Sequence, residues 1–208
     1  MAALLKFGSL EHLTLLRDEG LLYMNPITYF WKREGKDEQR GDHFDCVDEI
    51  MSGKDTVMWI GKTPDDIKTP IRVTSYKFRH HPPDADKINL FCMFAFFPKK
   101  TPFPIDDRNF QFGTHALIVK DTDKFLKRVV SNLEAHNLLF ETNLVEYVDD
   151  EHTGEIGPFR KLKKFEYQSE WRIVCYEGPG AAREIRIGSI ADISDLIPCD
   201  KVNLPYPV

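Results

Sequence analysis

The sequence predicts an α+β fold, and three observations carry that prediction. Apolar runs of strand length recur from the first residues to the last. Helical spacing of apolar residues is confined to a few segments, the clearest being 121–136. The two patterns do not alternate regularly, as a doubly wound parallel sheet would require.

Ala3 to Gly8 reads as a first strand ending in glycine. Ser9 can cap a following helix whose apolar side holds Leu10, Leu13, Leu15 and Leu16, and Gly20 stops it. Leu21–Met24 is a short strand and Asn25-Pro26 a turn. Pro26 pre-sets the first turn of a short aromatic helix, Ile27–Trp31. A polar stretch, 32–45, precedes strands at Thr56–Ile60, Arg72–Phe78, Ile88–Phe97 and His115–Lys120. Three prolines make 98–107 a connecting loop. Phe125, Val129, Val130 and Leu133 mark the helix from Asp121 to His136. Strands follow at Leu144–Val148, Trp171–Tyr176 and Glu184–Ile187, with a turn across 149–154 and a last one at Ile193–Ile197.

The 208 residues suit one domain spanning 1–208, with 15 Phe and 3 Trp to fill its core. The longest apolar run, Leu90–Phe97, is far short of the roughly 18 residues that cross a bilayer, so no membrane partner is expected. The start, Met1-Ala-Ala-Leu-Leu-Lys6, lacks the basic and apolar regions of a signal peptide, which makes the expected location cytoplasmic. Cys46, Cys92, Cys175 and Cys199 are scattered, without zinc spacing, and no metal is expected. A net charge of −5 excludes a nucleic-acid binder that is basic as a whole, but two basic patches stand out. These are Lys77-Phe-Arg79-His-His81 and Arg160-Lys161-Leu-Lys163-Lys164.

Two stretches carry a resemblance. Leu4-Leu5-Lys6-Phe7-Gly8-Ser9-Leu10-Glu11-His12, running on to Glu19-Gly20-Leu21-Leu22, resembles the opening strand and helix of the ADP-ribosyltransferase fold in bacterial toxins that modify nucleic acids. Tyr167-Gln168-Ser169-Glu170-Trp171-Arg172-Ile173-Val174, followed by Glu184–Ile187 and Ile190–Ile197, is similar to the closing catalytic segment of the DNA-targeting members. The resemblance covers the two ends of the chain and leaves about 45–155 unmatched. It implies split antiparallel sheets with a few flanking helices, and transfer of ADP-ribose from NAD, the co-substrate.

The same resemblance implies roles for individual residues. Glu170 would be the catalytic carboxylate, stabilising the positive charge that develops on the ribose or deprotonating the incoming nucleophile. Gln168, two residues earlier, would help choose the acceptor. Lys6 and Phe7 stand where the better-known classes carry a histidine or arginine against the ribose or nicotinamide. From the residues themselves, Arg40 and Asp42 of Arg-Gly-Asp are candidates for the NAD pyrophosphate end, through a bidentate guanidinium. Tyr29 and Phe30 are candidates for a stacking wall. Lys161, Lys163 and Lys164 would lead a nucleic-acid backbone to the site, which favours single-stranded DNA or RNA over a protein acceptor. The setting would be a toxin or phage-defence protein, with an antitoxin or immunity protein as a further partner.

Bland readings stand beside these. Glu170 is equally a glutamate at a strand edge paired with Arg172 or a lysine, and bare aromatics such as Tyr29 and Phe30 are more often core. Two other functions remain open. One is a non-catalytic partner-binding domain of immunity or inhibitor type. The other is a metal-dependent nuclease, from Asp42-His43-Phe44-Asp45 and Glu170-Trp-Arg172.

Overall fold

Local sequence signals place the first elements. The computed structural model describes residues 3–33, 35–37, 41–61, 63 and 69–204. Strand β1 (Ala3–Gly8) leads into α1 (Leu10–Glu19), where the Ser9 hydroxyl accepts from the His12 N–H. Gly20 ends α1 in the left-handed region at φ 66. A Cβ on Gly20 would lie 2.0 Å from the Gly188 carbonyl oxygen, so glycine serves both the turn and the close approach. Strand β2 (Leu21–Pro26) runs straight into α2 (Ile27–Trp31).

The middle of the chain departs from expectation. Strands β3 (Glu49–Ile60) and β4 (Thr69–His80) pair along their whole length, well beyond the expected 56–60 and 72–78. Gly53, Lys54 and Asp55 are poor strand formers that conceal the first half of β3, and the cross-strand partner overrides them. Strand β5 (Asn89–Phe96), β6 (His115–Val119) and α3 (Thr122–Ala135) fall close to expectation. Asp121 caps α3 by accepting from the Lys124 N–H, and Phe125, Val129 and Leu133 are its fully buried stripe.

Leu144–Val148 is not one strand. Val145 breaks it into β7 (Phe140–Leu144) and β8 (Glu146–Val148), its N–H donating to the Glu170 carbonyl. The two- and three-residue strands β9 (Gly154–Glu155) and β10 (Arg160–Leu162) are too short to show a period in sequence. Strands β11 (Glu170–Cys175) and β12 (Arg183–Arg186) follow. The expected turn at 193–197 is mostly strand, β13 (Ser194–Pro198), bonded to β6.

The fold is α+β with largely antiparallel pairing. Its main sheet runs β12-β2-β5-β1-β6-β13, with β11 and then β7 attached to β5. Strand β5 is the hub. One of its edges is clamped by β11 through six residue pairs, from Glu170 opposite Phe94 to Cys175 opposite Asn89. The other edge is shared, β1 meeting Phe94–Phe96 and β2 meeting Asn89 and Leu90. Between them, residues 91–93 face a gap where β1 and β2 splay apart.

Apolar residues cover both sides of this hub. Phe91, Met93, Trp171 and Ile173 face the large core under α1 and α3. The opposite side carries two smaller clusters, one around Leu5, Phe7 and Phe94 and one around Ile27, Leu90 and Val174. All six residues of β11 are buried, so its sequence shows no in-out alternation. Among the described residues no helix is long and apolar enough to cross a membrane.

Candidate functional site

Between the two smaller clusters, the alternation of β11 points two charged side chains, Glu170 and Arg172, at the same face. Arg172 is fully buried. Its Nη1 and Nη2 donate to Asp45 Oδ1 and Oδ2 at 2.7 and 2.9 Å, a bidentate pair, and Nη1 also donates to the Pro158 carbonyl at 2.8 Å. Its Nε donates to Glu170 Oε2 at 2.8 Å.

Lys161, brought in by β10, completes the constellation. Its Nζ donates to Glu170 Oε1 at 2.9 Å and to Gln168 Oε1 at 2.7 Å, and lies 3.3 Å from Asp45 Oδ2. Two cations and two carboxylates thus share one buried site. Each charge offsets the others' loss of hydration, the condition under which buried ions are tolerated.

The titration of each group follows from this pairing. Burial pushes the Glu170 carboxyl up, but Arg172 and Lys161 outweigh it and hold the group well below the usual carboxylate range. Asp45 is lowered in the same way: burial raises it, and Arg172 and then Lys161 more than reverse that. Burial lowers Lys161, and Asp45 and Glu170 overcome it to hold the ammonium charged. The Tyr147 hydroxyl accepts from the Glu170 N–H at 2.9 Å, and burial, with Glu170 nearby, keeps it protonated.

The gap between β1 and β2 opens as a cleft of about 840 Å³ that reaches this constellation. Glu170, Lys161, Gln168, Arg172 and Asp45 form its charged wall. Lys6 stands at the β1 side, its Nζ donating to the Cys92 carbonyl at 2.5 Å and lying 4.7 Å from the Phe91 ring centroid. Tyr29 and Phe30 line the β2 side with ring centroids 5.3 Å apart, and the Arg33 guanidinium lies 4.5 Å over the Tyr29 ring. Ser9 and His12 bring the N-terminus of α1 to the rim.

Seven of the residues singled out in the sequence therefore meet in one cleft: Lys6, Phe7, Tyr29, Phe30, Lys161, Gln168 and Glu170. Their settings differ from the sequence reading in several respects. Glu170 is on an interior strand, held between β5 and β7, rather than at a strand edge. Gln168 precedes β11 in a 3-10 turn, and reaches the cleft because Ser169 turns the chain at φ 40. Phe7 is mainly core, packed on Phe94 and Phe110. Lys161 is buried, with its charge matched internally, which removes it from the exposed basic patch.

The remaining candidates lie elsewhere. Lys163 and Lys164 are exposed and outside the cleft lining; Lys163 sits 3.9 Å from Asp149, and Lys164 lies over the Phe165 ring. Arg40 lies outside the described residues. Asp42 is buried but not part of the cleft lining. Its Oδ1 accepts from the Phe44 N–H, Oδ2 has no hydrogen-bond partner among the described residues, and burial, then the charge on Asp45, pushes its carboxyl up.

Two residues central to the site carried other readings in sequence. Asp45 appeared as a metal ligand, and Arg172 as a simple partner of Glu170. Arg172 and Lys161 occupy the Asp45 oxygens, so Asp45 does not present an open carboxylate for a cation. Among the described residues no group of three or more His, Cys, Asp or Glu is arranged to hold a metal ion. Comparison with family models, with curated proteins and with solved structures found no match for this chain.

Proposed function

We propose that the cleft binds NAD and that the protein transfers ADP-ribose to an acceptor, with Glu170 as the catalytic carboxylate. The observation that carries this reading is a carboxylate, held by Arg172 and Lys161, in the wall of a cleft of about 840 Å³ that opens where an antiparallel sheet splits. That volume falls within the roughly 300–1,000 Å³ of ligand pockets. The split is the arrangement that the terminal resemblance to ADP-ribosyltransferases implies.

The chemistry matches the electrostatics. The bond from ribose C1′ to the nicotinamide nitrogen breaks, its electron pair leaves with neutral nicotinamide, and positive charge develops on the ribose; the acceptor's nucleophilic atom then bonds C1′ and its proton passes to water. A carboxylate that is anionic at every physiological pH stabilises that charge. The same depression makes Glu170 a poor proton acceptor, so its role is charge stabilisation rather than deprotonation of the nucleophile. Arg172 and Lys161 hold both oxygens in place, and each oxygen keeps a second lone pair for a ribose hydroxyl. Tyr29 and Phe30 supply a stacking wall. Lys6 and the α1 N-terminus supply positive charge at the opposite rim, suited to a pyrophosphate. The acceptor is nucleic acid or protein.

A second reading has one observation in its favour. Glu170 is engaged by two cations, so its charge is largely balanced before any ligand arrives. This suits a binding domain that recognises a nucleotide or a partner without reacting. The two readings separate in one experiment. Wild type and Glu170→Gln are incubated with NAD labelled in the adenylate and with DNA, RNA and protein pools, while calorimetry records NAD binding. Transfer by wild type and its loss of at least 100-fold in Glu170→Gln, with NAD binding kept, supports catalysis. Binding without transfer by either protein supports the second reading, and equal transfer by both removes Glu170 from the chemistry.

A further inference from the structure

One rung of the β7–β11 ladder is completed by a side chain, and that rung holds Glu170. The two strands pair as far as Leu144 opposite Trp171. Next in register come Val145 and Glu170, and a hydrogen-bonded pair in an antiparallel ladder exchanges two N–H···O bonds. Backbone makes one of them, from the Val145 N–H to the Glu170 carbonyl at 2.8 Å. The return bond, from the Glu170 N–H, goes instead to the Tyr147 hydroxyl at 2.9 Å.

The path of the chain explains the exchange. After Val145 the backbone turns away into β8, which pairs in parallel with β10, and the Glu146 N–H donates to the Phe159 carbonyl at 2.8 Å. Tyr147 stands directly opposite Lys161 in that pairing. Its backbone is thus fastened to the strand that carries the ammonium, and its hydroxyl to the residue that carries the carboxylate. Those two charged groups meet at 2.9 Å and are both buried.

A phenol suits this position. Burial, then the charge on Glu170, raises the Tyr147 hydroxyl, so it stays neutral and brings no second anion to Glu170. Without the hydroxyl, the Glu170 N–H would be a donor facing the protein with no acceptor, an arrangement that backbone moves to avoid. The Glu170 side chain leaves the main chain one bond from that N–H. A shift there carries the carboxylate away from Lys161, Arg172 and the cleft.

We propose that Tyr147 is a positioning residue for Glu170, its hydroxyl completing the β11 edge and thereby setting the carboxylate against Lys161 and the cleft. The effect on turnover rests on the transferase reading; the effect on the carboxylate does not. The test compares wild type, Tyr147→Phe and Val129→Ala, the last a fully buried position in α3 that does not line the cleft. Each protein carries carbon-13 at its glutamate carboxyls, and the Glu170 resonance is the one missing from Glu170→Gln.

In Tyr147→Phe that resonance should shift, and its titration should move up toward the ordinary carboxylate range. Val129→Ala should keep both as in wild type. Transfer of label from NAD should fall roughly 10- to 100-fold in Tyr147→Phe, the upper figure being the cost of a misplacement of about 1 Å. NAD binding should stay within about threefold, because positioning acts on the reacting state rather than on affinity. Val129→Ala should melt lower than wild type yet transfer at the same rate.

An unchanged Glu170 resonance and titration in folded Tyr147→Phe overturns the proposal. So does a loss of transfer that Val129→Ala matches, which makes the hydroxyl's role one of stability alone. Hydrogen exchange of wild type tests the bond without a variant. The Glu170 amide should be as protected as those of Arg172 and Val174, and exchange at the rate of an exposed amide overturns the proposal even if Tyr147→Phe does not fold. Absence of transfer by wild type refutes the transferase reading, and the carboxyl resonance then decides the proposal by itself.

Discussion

Replacing Arg172 with methionine tests the charge constellation most directly. The guanidinium makes four hydrogen bonds of 2.7–2.9 Å, two to Asp45, one to Glu170 and one to the Pro158 carbonyl, from a side chain only 1% exposed. Methionine fills most of the volume but leaves two buried carboxylates facing Lys161 alone. Breaking a buried pair in this way costs about 3–5 kcal/mol. In a domain of this size that corresponds to a melting temperature lower by roughly 6–20 °C.

The pH dependence adds a sign. Glu170 and Asp45 have depressed folded-state values, so their stabilisation is present above the unfolded carboxylate range and is lost as pH falls through the folded values. Without Arg172 the depression shrinks, and wild type and variant should converge as pH drops below about 4. Adding Asp45→Asn to Arg172→Met should recover part of the loss, because it removes one of the stranded charges. Thermal unfolding followed by circular dichroism from pH 3 to 8 measures all three proteins. A change under about 2 °C at pH 7, or an equal deficit at every pH, would refute the idea that these ions hold the site together.

Two further outcomes are expected. Asp42→Asn should stabilise the protein at pH 7. A raised carboxyl favours folding most when protonated, so wild type loses that advantage as pH rises above the unfolded value, and the benefit of asparagine should vanish below about pH 4 in the same melts. Gly20→Ala should lose about 2–5 kcal/mol in urea unfolding, from positive φ plus collision with the Gly188 backbone. Gly157→Ala, also at positive φ (63°) but with open space around it, should lose about 1 kcal/mol, and equal losses at the two positions would count against the close approach.

Much of the framework was legible in the residues themselves. Ser9, Gly20 and the leucines between them specify α1 by capping and spacing, and Phe125, Val129 and Leu133 specify α3. Short-range chemistry decides these elements, so one sequence suffices to read them. Strand β3 was half hidden because pairing, not propensity, extends it through Gly53-Lys54-Asp55, and pairing likewise carries β4 beyond 72–78 to Thr69 and His80. The cleft was legible as a set of candidates but not as an arrangement. Lys161 looks like one more cation in a basic run, and only β10, a strand of three residues paired in parallel to β8, turns it inward. Asp45 and Arg172 are 127 positions apart, a separation that no local pattern can bridge.

The unequal attachment of β5 has a consequence for how the cleft is walled. Six residue pairs fasten β11 to one edge of β5, whereas β2 hangs from the other by two, Asn25 to Leu90 and Pro26 to Asn89. The two walls of the cleft are thus fastened by different means: Glu170 and Arg172 stand on a strand paired along its whole length, whereas Tyr29 and Phe30 follow a strand held mainly from its far side, by four pairs to β12, and by the Trp31 Nε1 bond to the Asp45 carbonyl.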